Sequence, residues 1–290
     1  MDDRSKETRV PSAPVGTTGH EWDGIYELNT PLPRWWLWLF YASIIFAVGY
    51  WVVYPSWPLV SSYTGGMFHW HSRSAVAGEL AALQAQRKPM MAKLAAASLK
   101  EIETTPELLD FARALGGRAF ADNCAPCHGA GGGGAPGYPN LTDDDWLWGG
   151  TLAQISQTIT HGARSGDPKD HEGNMPAWAS ILKPEQISAV ADYVRSLSGL
   201  KVEPGADLAA GSKIFADSCS PCHGKDGKGN PAVGSKNLTD NIWLYGSDKR
   251  TLVQTISNGR GGMMPAWGGK LDPVTVKALA VYVHTFGGGQ

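Results

Sequence analysis

One short pattern of cysteine and histidine occurs twice in this 290-residue chain, and it constrains the fold more than any other feature. The first copy is Cys124-Ala125-Pro126-Cys127-His128, and the second is Cys219-Ser220-Pro221-Cys222-His223. Two thiols on one helical turn can form thioethers with the two vinyl groups of one porphyrin, and the histidine that follows is then held under the iron as its proximal ligand. Because the two copies use all four cysteines, the sequence predicts two covalently bound haem c groups.

Two other uses of paired cysteines fit the pattern less well. A thioredoxin-type redox pair does not need the histidine and usually lies in a βαβ arrangement, which this sequence does not indicate. A zinc site built from both pairs would leave two adjacent histidines without a role. We therefore assign covalent haem attachment to Cys124, Cys127, Cys219 and Cys222, and proximal iron ligation to His128 and His223.

The similarity between the two copies extends far beyond the cysteines, which indicates an internal duplication. Residues 117–123 resemble 211–218, residues 140–143 resemble 237–240, and residues 175–178 resemble 264–267. Each copy then closes with a helix that carries one apolar stripe, starting at Pro184 in the first copy and at Asp272-Pro273 in the second. We expect both stripes to pack in a core beside a haem.

Each copy also offers a methionine as the sixth iron ligand. A lone methionine usually fills a core, but Met-Pro-Ala-Trp occurs in both copies, in a glycine-rich loop before the closing helix. That position resembles the axial methionine of class I cytochromes c, so Met175 and Met264 are predicted as distal ligands. Each could serve the iron of its own domain or of the neighbouring one. Met263 competes with Met264, and only the repeat register favours the latter.

Two histidines are alternative ligands in the first copy. His161 aligns with Asn258 of the second copy, and His171 lies in a loop that is eight residues longer than its counterpart. Because neither position is repeated, we expect both to be solvated surface residues. A Met/His ligand pair raises the potential of the iron relative to a pair of histidines, which suits electrons from respiratory donors.

One segment is apolar enough to cross a membrane. Residues 35–54 contain no charge, and as a helix they would cover about 30 Å, the thickness of the hydrocarbon core. Aromatic residues crowd both ends, as at membrane interfaces. A core helix of this length would have a polar face, and a signal peptide would not follow 34 mostly polar residues. The sequence predicts one uncleaved anchor.

Basic residues suggest which way the anchor points. Arg4, Lys6, Arg9 and Arg34 precede it, whereas only Arg73 occurs in the thirty-odd residues after it. This bias favours a cytoplasmic N-terminus, with the haem domains in the periplasm of a bacterial inner membrane.

Composition excludes several other classes of protein. A formal net charge of −2 disfavours nucleic acid as a partner, since phosphate binding needs a concentrated basic surface. Four cysteines are too few for a disulfide-stapled secreted scaffold. A hydrophobic fraction of 42% is enough for folded cores but too little for a multi-span transporter.

The predicted fold class is all-α, with one transmembrane helix followed by two tandem class I cytochrome c domains. The predicted segments are a cytoplasmic part (1–33), the transmembrane helix (34–54), a partly helical periplasmic linker (55–104), cytochrome domain 1 (105–199) and cytochrome domain 2 (200–290). Residues 198–206 are predicted as a short hinge between the two cytochrome units, which keeps the two haems near each other.

The whole pattern resembles the dihaem FixP or CcoP subunit of cbb₃-type cytochrome c oxidases. The resemblance rests on residues 21–25, which read Glu-Trp-Asp-Gly-Ile, on residues 29–36, which read Asn-Thr-Pro-Leu-Pro-Arg-Trp-Trp, and on the anchor and two haem units that follow. It implies a subunit that relays electrons from a soluble or membrane cytochrome c donor towards a monohaem cytochrome c subunit and a catalytic haem–copper subunit. It also implies that the chain is not an enzyme on its own, serving a terminal oxidase of high oxygen affinity.

Four features of the sequence bear on the alternative functions. The single span contains no histidine, so this chain cannot hold a haem–copper centre inside the membrane. A free-standing anchored carrier, or the cytochrome subunit of a periplasmic dehydrogenase, would share the haem chemistry but would not need the N-terminal segment. A dihaem peroxidase needs an iron with an open position, whereas each half here offers a methionine. A haem-based sensor would need a signalling domain, and none is visible.

Overall fold

The computed structural model describes residues 16–288 and divides the chain into two units, residues 1–84 and 85–290. The basic residues Arg4, Lys6 and Arg9, used above for orientation, lie outside the described residues. The structure is mostly helical, which confirms the predicted fold class.

The first unit begins with a small hairpin that the all-α prediction did not include. Strands β1 (Thr17–Trp22) and β2 (Ile25–Leu28) pair antiparallel. Asp23 and Gly24 between them have φ of 51° and 85°. A two-residue turn with positive φ at both positions matches the twist of paired strands, and Asp-Gly is a strong signal for it.

Helix α1 (Arg34–Val53) follows, within one residue of the predicted span at 34–54. Its most apolar window has a mean hydropathy of 1.8, and none of its residues is buried within the protein. Apolar side chains exposed on every side of a helix require apolar surroundings. A lipid bilayer supplies them.

The chain closes the C-terminal end of α1 by folding back on it. The amides of Met67 and Phe68 donate to the carbonyls of Val52 and Val53 at 3.0 and 3.1 Å. Gly66 makes this return possible: its φ is +64°, and a Cβ there would lie 2.4 Å from the Val53 oxygen. Carbonyls that a helix end leaves unpaired are thereby satisfied.

The remaining helices form the cytochrome part of the chain and the segment that leads from the anchor to it. In chain order they are α2 (Ser72–Ala96), α3 (Leu99–Thr104), α4 (Pro106–Asn123), the single turn α5 (Ala125–His128), α6 (Leu152–His161), α7 (Pro184–Leu197), α8 (Leu208–Ile214), the single turn α9 (Ser220–His223), α10 (Lys249–Asn258) and α11 (Pro273–His284). A π-helical turn, Phe215–Cys219, joins α8 to α9.

The two cytochrome cores each combine the beginning of one repeat with the end of the other. Helices α4 and α6 pack against α11, and Phe120, Ile155 and Leu279 share the first core. Helices α8 and α10 pack against α7, and Val190 and Phe215 share the second. The closing helices of the two repeats have therefore changed places.

The packing units thus differ from the predicted domains 105–199 and 200–290, which are units of sequence. Residues 198–206 were predicted as a hinge between cytochrome units, and this prediction was wrong, because they join α7 and α8, which share one core. Sequence similarity cannot reveal such an exchange, since the two closing helices carry equivalent apolar stripes. Only the connections decide which core each stripe reaches.

A glycine marks each crossing between an opening and a closing helix. A Cβ on Gly116 in α4 would lie 2.4 Å from the oxygen of Ala278 in α11. A Cβ on Gly211 in α8 would lie 2.3 Å from the oxygen of Ala189 in α7. Gly116 is thus the structural equivalent of Gly211, one position before the Gly117 of the sequence comparison.

The outer faces of the two closing helices differ in polarity. On α11, Ala278 and Val281 are covered by Leu94 and Ile102 of α2 and α3. On α7, the position equivalent to Val281 is Asp192, whose side chain is 3% exposed and whose carboxylate lies 2.9 Å from Lys249 Nζ. Among residues 16–288, the second oxygen of Asp192 finds no hydrogen-bond partner.

Replacing Lys249 with leucine, the residue found at the equivalent position 152, is expected to lower the free energy of unfolding by about 3 kcal/mol. It leaves a buried carboxylate on the outer face of α7 without its cation, and the 24% exposure of Lys249 keeps the loss at the low end for a buried pair. Chemical denaturation measures it. The matched control is the double variant Asp192→Val/Lys249→Leu, which copies the apolar residues Val281 and Leu152 at the outer face of α11 and should recover most of the loss. An equally unstable double variant would contradict this account.

Candidate haem sites

The two attachment motifs fold into equivalent single turns. Cys124 precedes α5, and its carbonyl accepts the amide protons of Cys127 and His128 at 3.1 and 2.9 Å. Cys219 precedes α9 in the same way. Each turn places its first cysteine against a core and its second, Cys127 or Cys222, at the exposed edge. One porphyrin edge could therefore meet both thiols of a turn.

Both proximal histidines are held by a backbone carbonyl. Nδ1 of His128 donates to the oxygen of Pro139, and Nδ1 of His223 donates to the oxygen of Lys236, each at 2.9 Å. Because a carbonyl can only accept, Nδ1 carries the proton and Nε2 keeps its lone pair. Burial lowers the pKa of both histidines, which favours the neutral imidazole. A neutral ring oriented through its other nitrogen is the usual state of a metal-ligating histidine.

The inner thiols lie in apolar surroundings. Burial, with a smaller contribution from the neighbouring cysteine of each pair, raises the pKa of Cys124 and of Cys219 to about 11. All four cysteines are free. They are thus available as thiols, the form that adds to a vinyl group.

The second site contains a cavity of about 240 Å³ whose wall includes a methionine from the first repeat. Its lining includes Met175, Phe215, Cys219, Cys222, His223 and Trp243. Met175 also packs against the second core. The structure therefore places Met175 with the histidine of the other repeat.

The first site shows the reciprocal arrangement. Met264, from the second repeat, packs against the first core together with Cys124 and Trp146. Its neighbour Met263 is 67% exposed. The packing thus separates two methionines that the sequence could distinguish only by register.

Short backbone ladders fix both methionines. Met264 and Ala163 exchange two amide–carbonyl hydrogen bonds, each of 2.9 Å, and Met175 and Arg260 exchange two of 2.9 and 3.0 Å. The loops approach so closely that a Cβ on Gly162 would lie 2.3 Å from the Met264 oxygen. A Cβ on Gly259 would lie equally near the Met175 oxygen, and both glycines have φ of at least +70°. The exchange of methionines is therefore built into the backbone.

The donor set fits a haem better than a metal ion alone. Each site offers two thiols, an imidazole and a thioether within apolar walls. In the second site, Trp243 Nε1 is buried and has no acceptor among residues 16–288, although it lines the cavity. A carboxylate of the porphyrin could accept this proton, since buried polar groups need a partner. In the first site, the equivalent Trp146 Nε1 donates to the carbonyl of Gly288.

His161 and His171 have other partners. Nδ1 of His161 lies 2.8 Å from a carboxylate oxygen of Asp167, and its side chain is 21% exposed. The His171 ring stacks on Trp148 with 4.2 Å between ring centres and bonds Thr158 through Nε2 at 3.0 Å. The prediction that both are solvated surface residues was wrong, because both help to fold the longer loop.

Sequence reasoning missed the residues that support the ligands. The carbonyls that hold the histidines belong to Pro139 and Lys236, which share a register position but no side-chain chemistry. Trp243 occupies the same repeat position as Trp146, but a repeated tryptophan does not by itself indicate a place in a haem site. The repeated Gly162 and Gly259 carried a usable signal, because a glycine at the same place in both copies suggests close backbone approach.

Models of known families match three parts of the chain. Residues 15–61 match the N-terminal domain of cytochrome oxidase-cbb3, FixP. Residues 114–198 match cytochrome c, and residues 206–283 match cytochrome C oxidase, cbb3-type, subunit III. Cytochrome c domains imply covalently bound haem c.

Relatives match the chain over nearly its whole length. The Cbb3-type cytochrome c oxidase subunit FixP of Azorhizobium caulinodans is 68% identical over 276 residues, which cover 94% of each chain. The chain belongs to the FixP/CcoP family of cbb₃-type oxidase subunits. The FixP subunit of Bradyrhizobium diazoefficiens is 62% identical over 94% of this chain and 95% of its own, and the CcoP subunit of an Azospirillum species is 48% identical over 95% and 96%. The FixP/CcoP resemblance drawn from the sequence is confirmed.

Proposed function

We propose that this member of the FixP/CcoP family is the membrane-anchored dihaem cytochrome of a cbb₃-type terminal oxidase and relays electrons towards the catalytic haem–copper subunit. The observation that carries the proposal is the presence of two complete donor sets behind an N-terminal segment of the FixP type. The names of its relatives support the oxidase, and the donor sets support the relay.

We assign one haem to each donor set, with the methionines exchanged. The first set is Cys124, Cys127, His128 and Met264, and the second is Cys219, Cys222, His223 and Met175. A bound haem c supplies a reversible one-electron iron couple, which Met/His ligation places at a higher potential than bis-His ligation.

The residues of the chain orient the ligands and exclude water. Pro139 and Lys236 fix the two imidazole rings through their carbonyls, and the paired backbone segments fix the two methionines. The apolar cores around Phe120 and Phe215 keep water from the sites. A rigid, dry site keeps the structural rearrangement on reduction small.

On this proposal, the chain is one subunit of a larger membrane complex. Helix α1 anchors it in the inner membrane with residues 1–33 in the cytoplasm and residues 55–290 in the periplasm. Its partners are the catalytic haem–copper subunit, a monohaem cytochrome c subunit, a cytochrome c donor and membrane lipid. The chain performs no oxygen chemistry itself, because the span carries no histidine.

Purification of the full chain in mild detergent tests this proposal. We expect a mass that exceeds the polypeptide by two haems, a c-type pyridine haemochrome spectrum, and co-purification with b-type haem and copper. Cys124→Ala/Cys127→Ala and Cys219→Ala/Cys222→Ala should each remove one haem. His128→Ala should remove the proximal ligand of the first haem, whereas its matched control, His161→Ala, should retain both haems and their ligands. A polypeptide of unmodified mass would contradict the haem sites, and recovery as a lone cytochrome from cells with unchanged oxidase activity would contradict the oxidase.

A further inference from the structure

A half-buried cation joins the loops of the two haem sites. Nζ of Lys236, in the second repeat, pairs with a carboxylate oxygen of Asp145 in the first repeat and lies 3.5 Å from Asp240. The side chains of Lys236 and Asp145 are only 13% and 15% exposed. Exposed ion pairs contribute little, but partly buried ones interact through a medium of lower dielectric constant.

Both partners belong to the loops that hold the proximal histidines. The carbonyl of Lys236 accepts the proton of His223 Nδ1. Asp145 follows Pro139, whose carbonyl accepts the proton of His128 Nδ1, by six positions. A backbone hydrogen bond of 2.7 Å from the Gly137 amide to the Leu244 carbonyl also connects these loops. Lys236 therefore touches one site through its backbone and reaches the loop of the other through its side chain.

The pair has no counterpart elsewhere in the duplication. By repeat register, Pro139 stands where Lys236 does, and Ile242 stands where Asp145 does. Neither can form an ion pair. The link is thus an asymmetric feature between two otherwise equivalent sites, and the haem chemistry common to both sites does not require it.

We propose that Lys236 and Asp145 form a charged link that holds the two haem-binding loops together and sets the reduction potential of the haem beside Lys236. The inference rests on the proposed function, because it requires haem at these sites. A positive charge close to an iron favours its reduced state, and a carboxylate opposes it. Lys236 and Asp145 are thus positioning residues, with charges of opposite sign near one site.

Redox titration of the full-length haem-loaded protein in detergent, followed by visible absorption, tests the link. Lys236→Met should lower the midpoint potential of the haem beside Lys236, because the carboxylates of Asp145 and Asp240 lose their cation. Asp145→Asn should raise it, because Lys236 loses a counter-charge. Lys236→Arg should keep the potential near that of the unchanged protein. Asp144→Asn is the matched control: it removes the same charge one residue away, at an exposed position, and should shift the potential less than Asp145→Asn.

The sign of the shifts separates this proposal from a structural role alone. Local disorder would shift the midpoint potential in the same direction in Lys236→Met and in Asp145→Asn. That result, or no shift in either variant, would overturn the proposal. A double-mutant cycle on the denaturation midpoint tests the link itself: the loss in Asp145→Asn/Lys236→Met should be smaller than the sum of the single losses. Additive losses would contradict it. Haem content is measured in the same samples, so absence of haem would count against the proposed function instead.

Discussion

Replacing Met175 with leucine is expected to leave one coordination position open on the iron of the haem proposed at His223, although Met175 belongs to the first repeat. The thioether lies in the wall of the second cavity, and leucine supplies no ligand atom there. The reduction potential of the affected haem should fall, because the haem loses its proposed Met/His ligation. The haem should also bind carbon monoxide when it is reduced. Met264→Leu should have the same effect on the haem held by His128. Met263→Leu is the matched control and should leave both spectra unchanged, since Met263 is 67% exposed.

The exchange becomes visible when one haem is removed. In a Cys124→Ala/Cys127→Ala background, only the second haem remains attached. Met175→Leu should then make that haem bind carbon monoxide, whereas Met264→Leu should not. The reverse result would show that each methionine serves its own repeat. If this background fails to fold, the Cys219→Ala/Cys222→Ala background gives the reciprocal test: Met264→Leu should make the remaining haem bind carbon monoxide, and Met175→Leu should not.

Alanine at either helix crossing is expected to cost about 3 kcal/mol or more of the free energy of unfolding, at the upper end for overpacked cores. A Cβ on Gly116 or Gly211 would stand 2.4 or 2.3 Å from a backbone oxygen of the closing helix, which cannot move aside as a side chain can. The helices would have to separate, and the rings of Phe120 and Tyr282, 5.7 Å apart, would lose contact.

Denaturation followed by haem absorbance measures this loss. Gly117→Ala is the neighbouring control: its Cβ would meet only the Tyr282 ring, at 3.2 Å, so a small side-chain shift suffices. Gly78→Ala, in α2, has no atom within 4 Å and should stabilise the helix by roughly 0.5–1 kcal/mol. A Gly116→Ala variant as stable as Gly117→Ala would contradict the close crossing.

Most of the chemistry of this chain could be read from local sequence. The spacing of Cys124, Cys127 and His128 is itself the chemical requirement for haem attachment, so it needs no knowledge of distant residues. The anchor could be read in the same way, because length and absence of charge in residues 35–54 are the properties a bilayer selects. The duplication then extended the prediction of haem attachment to the second site and drew attention to both methionines.

The supporting residues could not be found in this way. A backbone carbonyl that orients a histidine can come from any residue type, and here it comes from Pro139 in one site and Lys236 in the other. The ion pair between Lys236 and Asp145 is equally hidden, since its members are 91 positions apart. The hairpin at 17–28 is a different case, because the Asp-Gly pair at its turn is a local sequence signal that would have predicted it.

Local sequence was enough to predict two haem units, each with one histidine and one methionine, behind a single anchor. Which methionine lies beside which histidine became clear only from the packing of the helices. The two closing helices carry equivalent apolar stripes on the faces that meet the cores, so either core could accept either helix. The choice depends on the connections: the segment 198–206 keeps α7 beside α8, and this leaves α11 to complete the core of α4 and α6.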